Sequence, residues 1–277
     1  MFNLNARLVK ELPEGLALAQ RGLFYADALF ETMRVFGGRI PLLERHWARL
    51  SRGLEMMRYR IPPDWSAAFF REQILRIAPA NARVRLTVWR APGGLYLPEQ
   101  NEPQFLITAG ALGSDVFEWD PVGLHVGLCE SVRLPVDRLS GLKTLNAARY
   151  VAAAQEAQER GWDDAVLLNV YDRICEATGS NIFWFEGDTL CTPPLSEGCV
   201  TGVMRELLLA LTLDTGNRVQ EKPLTFVRLP DAGEVFLTNA VRGIRPVRKY
   251  EGKVFASHKT KFLHELTAGY LAKQNSP

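Results

Sequence analysis

The sequence predicts an α+β fold divided into two domains, on three observations. Segments of period-two and of helical patterning follow one another without regular βαβ alternation. A turn-rich stretch interrupts the chain before its middle, and 277 residues provide enough material for two modest cores.

The elements read in order as follows. Pro41 to Arg58 and Trp65 to Ile77 carry helical spacing. Val84, Leu86 and Val88 alternate with Arg85, Thr87 and Trp89, which predicts a strand with one apolar face. Phe105 to Thr108 and Leu124 to Leu128 read as further strands. Between them Gly110, Gly113, Asp115, Asp120, Pro121 and Gly123 mark the interdomain connection. The expected division is a smaller N-terminal α/β domain over 1–112, a linker over 113–123 and a larger C-terminal domain over 124–277. Asn146 to Arg160 is Ala-rich and stops at Gly161, a helix with its C-terminal signal in place. Strands follow at Asp164 to Asn169, Arg173 to Glu176, Asn181 to Phe185 and Thr189 to Cys191. A helix from Gly202 to Leu213, strands at Val235 to Leu237 and Gly243 to Val247, and a closing helix over Thr260 to Leu271 complete the chain.

Composition narrows the function. The chain is 47% hydrophobic and 23% charged, as globular proteins are. A net charge of +2, without a basic block, argues against nucleic acid as a partner. The longest apolar runs, such as Leu207 to Leu213, fall far short of the ~20 residues that span a bilayer. The N-terminus lacks the pattern of a signal peptide. Cys129, Cys175, Cys191 and Cys199 form no CxxC pair, and the four histidines are scattered, so no metal site is expected and the compartment reads as cytoplasmic.

Lys143 stands apart. It is the only lysine between Lys10 and Lys222, in a region where arginine meets other needs for positive charge. An amine, unlike a guanidinium, can deprotonate and attack a carbonyl. On its own, Lys143 also reads as a surface lysine. Glu176 ends a strand before small polar residues, either as a turn-capping acid or as a carboxylate for a protonated ring nitrogen. Thr201 suits an N-cap, leaving the amides of Gly202, Val203 and Met204 as an anion site or as an ordinary helix start. Thr238-Asn239-Ala240-Val241 is a small-residue turn that closes over an anion or simply reverses the chain. Arg49, on the helix Arg45-His46-Trp47-Ala48-Arg49-Leu50, is a bidentate phosphate ligand or a solvated charge.

In this order, and together with Arg21-Gly22-Leu23-Phe24-Tyr25-Ala26-Asp27-Ala28-Leu29-Phe30-Glu31-Thr32 and Arg245-Pro246-Val247, these motifs resemble the class IV aminotransferases, the fold-type IV pyridoxal-phosphate enzymes. That family includes branched-chain and D-amino-acid aminotransferases, (R)-selective amine transaminases and 4-amino-4-deoxychorismate lyase. The resemblance implies a two-domain, D-amino-acid-aminotransferase-like architecture with pyridoxal 5'-phosphate held between the domains. It implies Lys143 as the Schiff-base lysine and Glu176 as partner of the pyridine nitrogen. The phosphate would lie on Arg49, the start at Gly202, Val203 and Met204, and the turn Asn239-Ala240-Val241. A homodimer is also implied, in which the partner chain helps to close the site.

Departures from the family patterns bear on the reaction. The tyrosine that branched-chain enzymes carry five residues after the lysine is Ala148 here, with Tyr150 two further on. The Arg-x-His pair of D-amino-acid enzymes is missing from Ala91-Pro92-Gly93-Gly94-Leu95-Tyr96-Leu97-Pro98, where Arg90 or Arg34 would have to substitute. Gly202-Val203-Met204-Arg205 and Ser140-Gly141-Leu142-Lys143-Thr144-Leu145-Asn146 resemble the lyases. Phe30-Glu31-Thr32-Met33-Arg34 resembles the transaminases, with Phe30, Thr32 and Arg34 on one strand face. Phe30 is expected as a substrate wall or as core, and Tyr96 as a weaker wall or a surface loop residue. The expected activity is transfer of an amino group from an amino acid or amine to a 2-keto acid; the alternative is aminodeoxychorismate lyase, releasing pyruvate and 4-aminobenzoate.

Overall fold

The computed structural model describes residues 1–11, 21–114 and 116–274. It divides into two compact units. The first holds Met1–Val116 and Leu142–Asn146, and the second holds Phe117–Gly141 and Ala147–Pro277. The boundary falls between Val116 and Phe117, inside the stretch 113–123 expected as a linker, and the second unit is not an unbroken run over 124–277. The Lys143 segment belongs to the first unit, because it pairs with a strand there.

The first unit is a five-stranded antiparallel sheet with helices on one face. Its strands are β1 (Phe2–Leu4), β2 (Arg7–Val9), β3 (Ala28–Val35), β4 (Ala82–Arg90) and β5 (Pro103–Ala111), in the order β2-β1-β5-β4-β3. A five-residue helix, α1 (Arg21–Tyr25), precedes β3. Helices α2 (Leu43–Met56) and α3 (Ala67–Leu75) cover the core. Ser66 caps α3, its Oγ accepting from the Phe69 amide at 3.1 Å.

Period-two alternation decides which side chains enter that core. Leu29, Met33 and Val35 of β3 and Val84, Leu86 and Val88 of β4 pack with Leu50 and Leu54 of α2 and Phe70 and Ile74 of α3. The intervening positions face the other way. Phe30 lies opposite Thr87 and Thr32 opposite Arg85, all four half-buried. β1, β2 and α1 escape sequence reading because three to five residues hold less than two periods of either pattern.

The second unit is a mixed sheet: β6 (Leu124–Leu128), β7 (Asp164–Leu168), β8 (Ile174–Ala177), β9 (Asn181–Glu186), β10 (Thr189–Thr192), β11 (Val219–Glu221), β12 (Glu234–Asn239), β13 (Gly243–Tyr250) and β14 (Lys253–Val254). The order is β11-β10-β9-β12-β13-β6-β7-β8, with β14 paired to β13. Its helices are α4 (Ala148–Glu159), α5 (Val203–Asp214) and α6 (His258–Gln274). Central strands are apolar at consecutive positions because both faces are covered. Ile182 and Trp184 of β9 join Val235 and Leu237 of β12 on one face. Phe183 and Phe185 join Phe236, Leu208 and Leu263 on the other. The cross-strand neighbours Phe183 and Phe236 stack with centroids 5.1 Å apart.

α4 ends as its sequence signals. Gly161, at φ 69°, takes the left-handed position that stops the helix, and the Trp162 amide closes back on the Ala157 carbonyl at 2.8 Å. The Trp162 ring then lies on the bare backbone of β6, where a Cβ on Gly127 would come within 2.1 Å of it. Gly127→Ala should therefore lower the stability of the second unit by about 1–3 kcal/mol through overpacking. Urea unfolding followed by Trp fluorescence reads this, and an unshifted midpoint would contradict the packing described.

Candidate active site

Lys143 is placed by backbone pairing. β3 is an edge strand, and the Lys143 segment adds to it: the Phe30 amide donates to the Lys143 carbonyl at 2.9 Å and the Leu145 amide to the Ala28 carbonyl at 3.1 Å. Leu142 is pinned in the core and the intervening Lys143 is half-buried. Its Nζ lies 4.5 Å from the centroid of the Phe30 ring. Arg85 places its guanidinium carbon 3.9 Å from the centroid of the same ring. An amine, an aromatic surface and a guanidinium thus share the sheet face away from the helices.

On the opposite face β3 carries Glu31, 1% exposed. Its carboxylate accepts from Arg49 Nε at 2.7 Å and from Arg49 Nη2, and Oε2 meets His46 Nδ1 at 2.6 Å. Burial, the largest single influence, would raise the acid's pKa; the charges of Arg49 and His46 and their hydrogen bonds together outweigh it and hold the carboxyl at about 2. Burial lowers the imidazole of His46 from its usual value, against the pull of Glu31, and the charges of Arg49 and Lys143 lower it further. The two-nitrogen grip that sequence reading assigns to a phosphate is thus made on Glu31.

Two other arginines, Arg90 and Arg34, were expected near the substrate. Arg90 is 4% exposed and fully committed: Nε to Asp27 at 2.8 Å, Nη1 to Asn101 Oδ1 at 2.5 Å, and Nη2 to the Met57 carbonyl at 2.7 Å, with its plane over Tyr59. Every nitrogen of this buried guanidinium is bonded within the fold. Arg34 Nη2 holds the carbonyls of Ser114 and Val116, both at 2.8 Å, so it fastens the start of the linker. Arg85, in the sequence only the polar half of an alternation, is the guanidinium that shares the face of Phe30 and Thr32. Its signal was present in the β4 pattern and needed the register with β3 to become legible.

Arg21 pins the loop that carries Tyr96. Its Nη1 bonds the carbonyls of Gly93, Gly94 and Leu95 at 3.1, 3.2 and 2.6 Å. Tyr96 is 91% exposed, its ring edge-on to Tyr25.

In the second unit Glu176 lies on β8, 3% exposed. Tyr150 Oη donates to its Oε1 at 2.6 Å and the Val200 amide to Oε2 at 3.1 Å. α5 is capped by Gly202, not by Thr201, whose amide donates to the Gly141 carbonyl. Gly202 has extended φ and ψ, and any Cβ there would fall 1.8 Å from Asn181 Oδ1. The first-turn amides, Val203 and Met204 among them, therefore emerge beside bare backbone, with no partner inside the helix. At the β12–β13 turn, Asn239 Oδ1 accepts from the Val241 and Arg242 amides at 3.0 and 2.9 Å. The Val241 amide expected to meet an anion closes this side-chain turn, with Ala240 at its tip.

The first unit thus holds a half-buried amine, and the second holds a buried carboxylate anchored by neutral donors and a helix start that excludes a side chain. Comparison with known proteins gives the class. The amino-transferase class IV family profile matches residues 28–250. A putative branched-chain-amino-acid aminotransferase of Methanocaldococcus jannaschii is 30% identical over 91% of this chain and 88% of its own. An aminodeoxychorismate lyase of Vibrio harveyi is 30% identical over 86% of this chain and 89% of its own. The crystal structure of 4-amino-4-deoxychorismate lyase from Pseudomonas aeruginosa superposes with a TM-score of 0.82 at 29% identity, covering 96% of this chain and 97% of that one. The chain belongs to the class IV aminotransferase family, a family of pyridoxal-phosphate enzymes with the two-domain α+β fold type IV.

The Glu31 cluster predicts a pH signature. A carboxyl held at about 2 when folded, against 4.5 ordinarily, stabilises fully above the ordinary value and loses that contribution as pH falls toward 2. The loss across this window is about 3 kcal/mol. Glu31→Gln should flatten the fall in stability between pH 4.5 and pH 2 relative to wild type. It should also cost about 3–5 kcal/mol at pH 7, because Arg49 loses its buried partner. Equal acid slopes in urea titrations of the two proteins would refute the assignment.

Proposed function

We propose that this protein is a pyridoxal-phosphate-dependent aminotransferase that moves an amino group from an amino acid or amine to a 2-keto acid. The observation that carries the reading is the Lys143 amine, held by β3 pairing beside the Phe30 ring that Arg85 also contacts. Pyridoxal phosphate, when bound, supplies an electron sink for the substrate Cα and a carrier for the amino group. Lys143 Nζ would hold the cofactor and would move the proton at the substrate Cα. Glu176 keeps a proton on the ring nitrogen. Arg49, oriented by Glu31, holds the phosphate with the amides of Val203 and Met204 at the Gly202 start and the turn at Asn239 and Ala240.

For the substrate, Phe30 and Thr32 form the wall and Arg85 takes the carboxylate that Arg90 and Arg34 are too committed to receive. We further propose a homodimer, supported by Leu23, Phe24, Leu95, Tyr96 and Leu97, which expose large apolar side chains on α1 and the adjoining loop. Exposed apolar clusters of this kind mark interaction surfaces. The four cysteines are free and buried, which fits work in the cytoplasm.

The similarity to two aminodeoxychorismate lyases favours one second reading, release of 4-aminobenzoate and pyruvate with the same lysine. Single-turnover assays separate the two. With the transaminase reading, an amino donor changes the absorbance of the bound cofactor and releases one equivalent of keto acid, without added acceptor. Arg85→Ala should raise KM for carboxylate donors by about ten- to a hundredfold, the loss of a charged hydrogen bond. No response to a panel of L- and D-amino acids and aromatic amines, together with 4-aminobenzoate release from aminodeoxychorismate, would establish the lyase instead.

A further inference from the structure

Tyr150 lies on the first turn of α4 and meets Glu176 from 26 residues away in sequence. Its ring packs beside the cluster of Cys129, Ala153, Leu167 and Cys175, a place that a phenylalanine ring would fill equally well. The hydroxyl is what distinguishes it, and that hydroxyl donates to Glu176 Oε1 at 2.6 Å. Burial, then the Glu176 charge, push the phenol far above its ordinary pKa, so it remains a donor throughout the working range. The Val200 amide occupies the other carboxylate oxygen. Each oxygen of Glu176 is thereby fixed by a neutral donor, one from α4 and one from the segment leading into α5.

We infer that Tyr150 is a positioning residue for Glu176, its hydroxyl fixing the carboxylate and setting how strongly it competes for the proton on the cofactor's ring nitrogen. The inference rests on the cofactor reading proposed above. A donor bonded to the ionised form of an acid lowers that acid's proton affinity. With Tyr150 in place, Glu176 is a firm but weakly basic counter-charge and the proton stays on the ring. Without the hydroxyl the carboxylate becomes more basic and freer to turn, so the shared proton moves toward Glu176.

The test uses the full-length protein loaded with pyridoxal phosphate labelled with ¹⁵N in the ring. In Y150F the bound ¹⁵N signal should move toward the unprotonated position, and the Kd for cofactor should rise on the order of tenfold, as for a lost hydrogen bond to a charged group. Replacing Tyr150 by 3,5-difluorotyrosine strengthens the donor, keeps the packing and should move the signal the opposite way. In an E176Q background the Y150F change should have no further effect on either readout, whereas a merely structural role would add to it. If Y150F does not fold, the difluorotyrosine protein, alone and with E176Q, decides the matter. Unchanged signal and affinity in folded variants, or the same shift with E176Q, would overturn the inference while leaving the cofactor reading intact. Failure of the wild type to take up the labelled cofactor would overturn both.

Discussion

Two backbone hydrogen bonds on the open edge of β3, Phe30 N–H to Lys143 O and Leu145 N–H to Ala28 O, fix where Lys143 lies in the first unit. An edge strand presents unpaired amides and carbonyls. Here the chain satisfies them with the short segment that carries its isolated lysine. The pairing fixes the side-chain alternation: Leu142 enters the core and Lys143 comes to Phe30. Flexible along its own length, a lysine gains a defined position only through what its backbone does and what its amine rests against.

The same strand separates the charges by face. Glu31 turns toward α2, where Arg49 and His46 satisfy it, and Phe30 and Thr32 turn away toward Arg85 and Lys143. An ionised carboxylate so deeply buried would be costly without its partners. With them it holds Arg49 in a single orientation. Elsewhere arginine serves the scaffold: Asp27 ties Arg21 and Arg90 together, and burial, which would raise the acid's pKa, is outweighed by these two guanidinium groups, which hold it below its ordinary value.

Most of the regular architecture was legible in the sequence, since β4, α2, α4 and α5 carry long patterns and α4 has its stop at Gly161. Strands of two or three residues, such as β1, β11 and β14, carry no pattern, and they exist because a neighbouring strand offers them an edge. The Gly202 cap was read one residue early because Thr201 has the better capping side chain, while Asn181 Oδ1 leaves no room for a Cβ at the position actually used. The order of Arg49, Lys143, Glu176 and the α5 start was enough to suggest the family. Which guanidinium groups are committed was not readable, because Asp27, Asn101 and the Met57 carbonyl reach Arg90 from separate parts of the chain. Tyr150 shows the same limit: a sequence comparison notes the tyrosine missing at position 148, whereas only the fold brings the one at 150 to Glu176.

The central claim is that Lys143 is the amine that carries the cofactor. The direct measurement is borohydride reduction of the protein loaded with pyridoxal phosphate, followed by proteolysis and mass mapping. One stable phosphopyridoxyl adduct is expected, on Lys143, and none in Lys143→Ala. An adduct on any other lysine, or full turnover by Lys143→Ala, would contradict it.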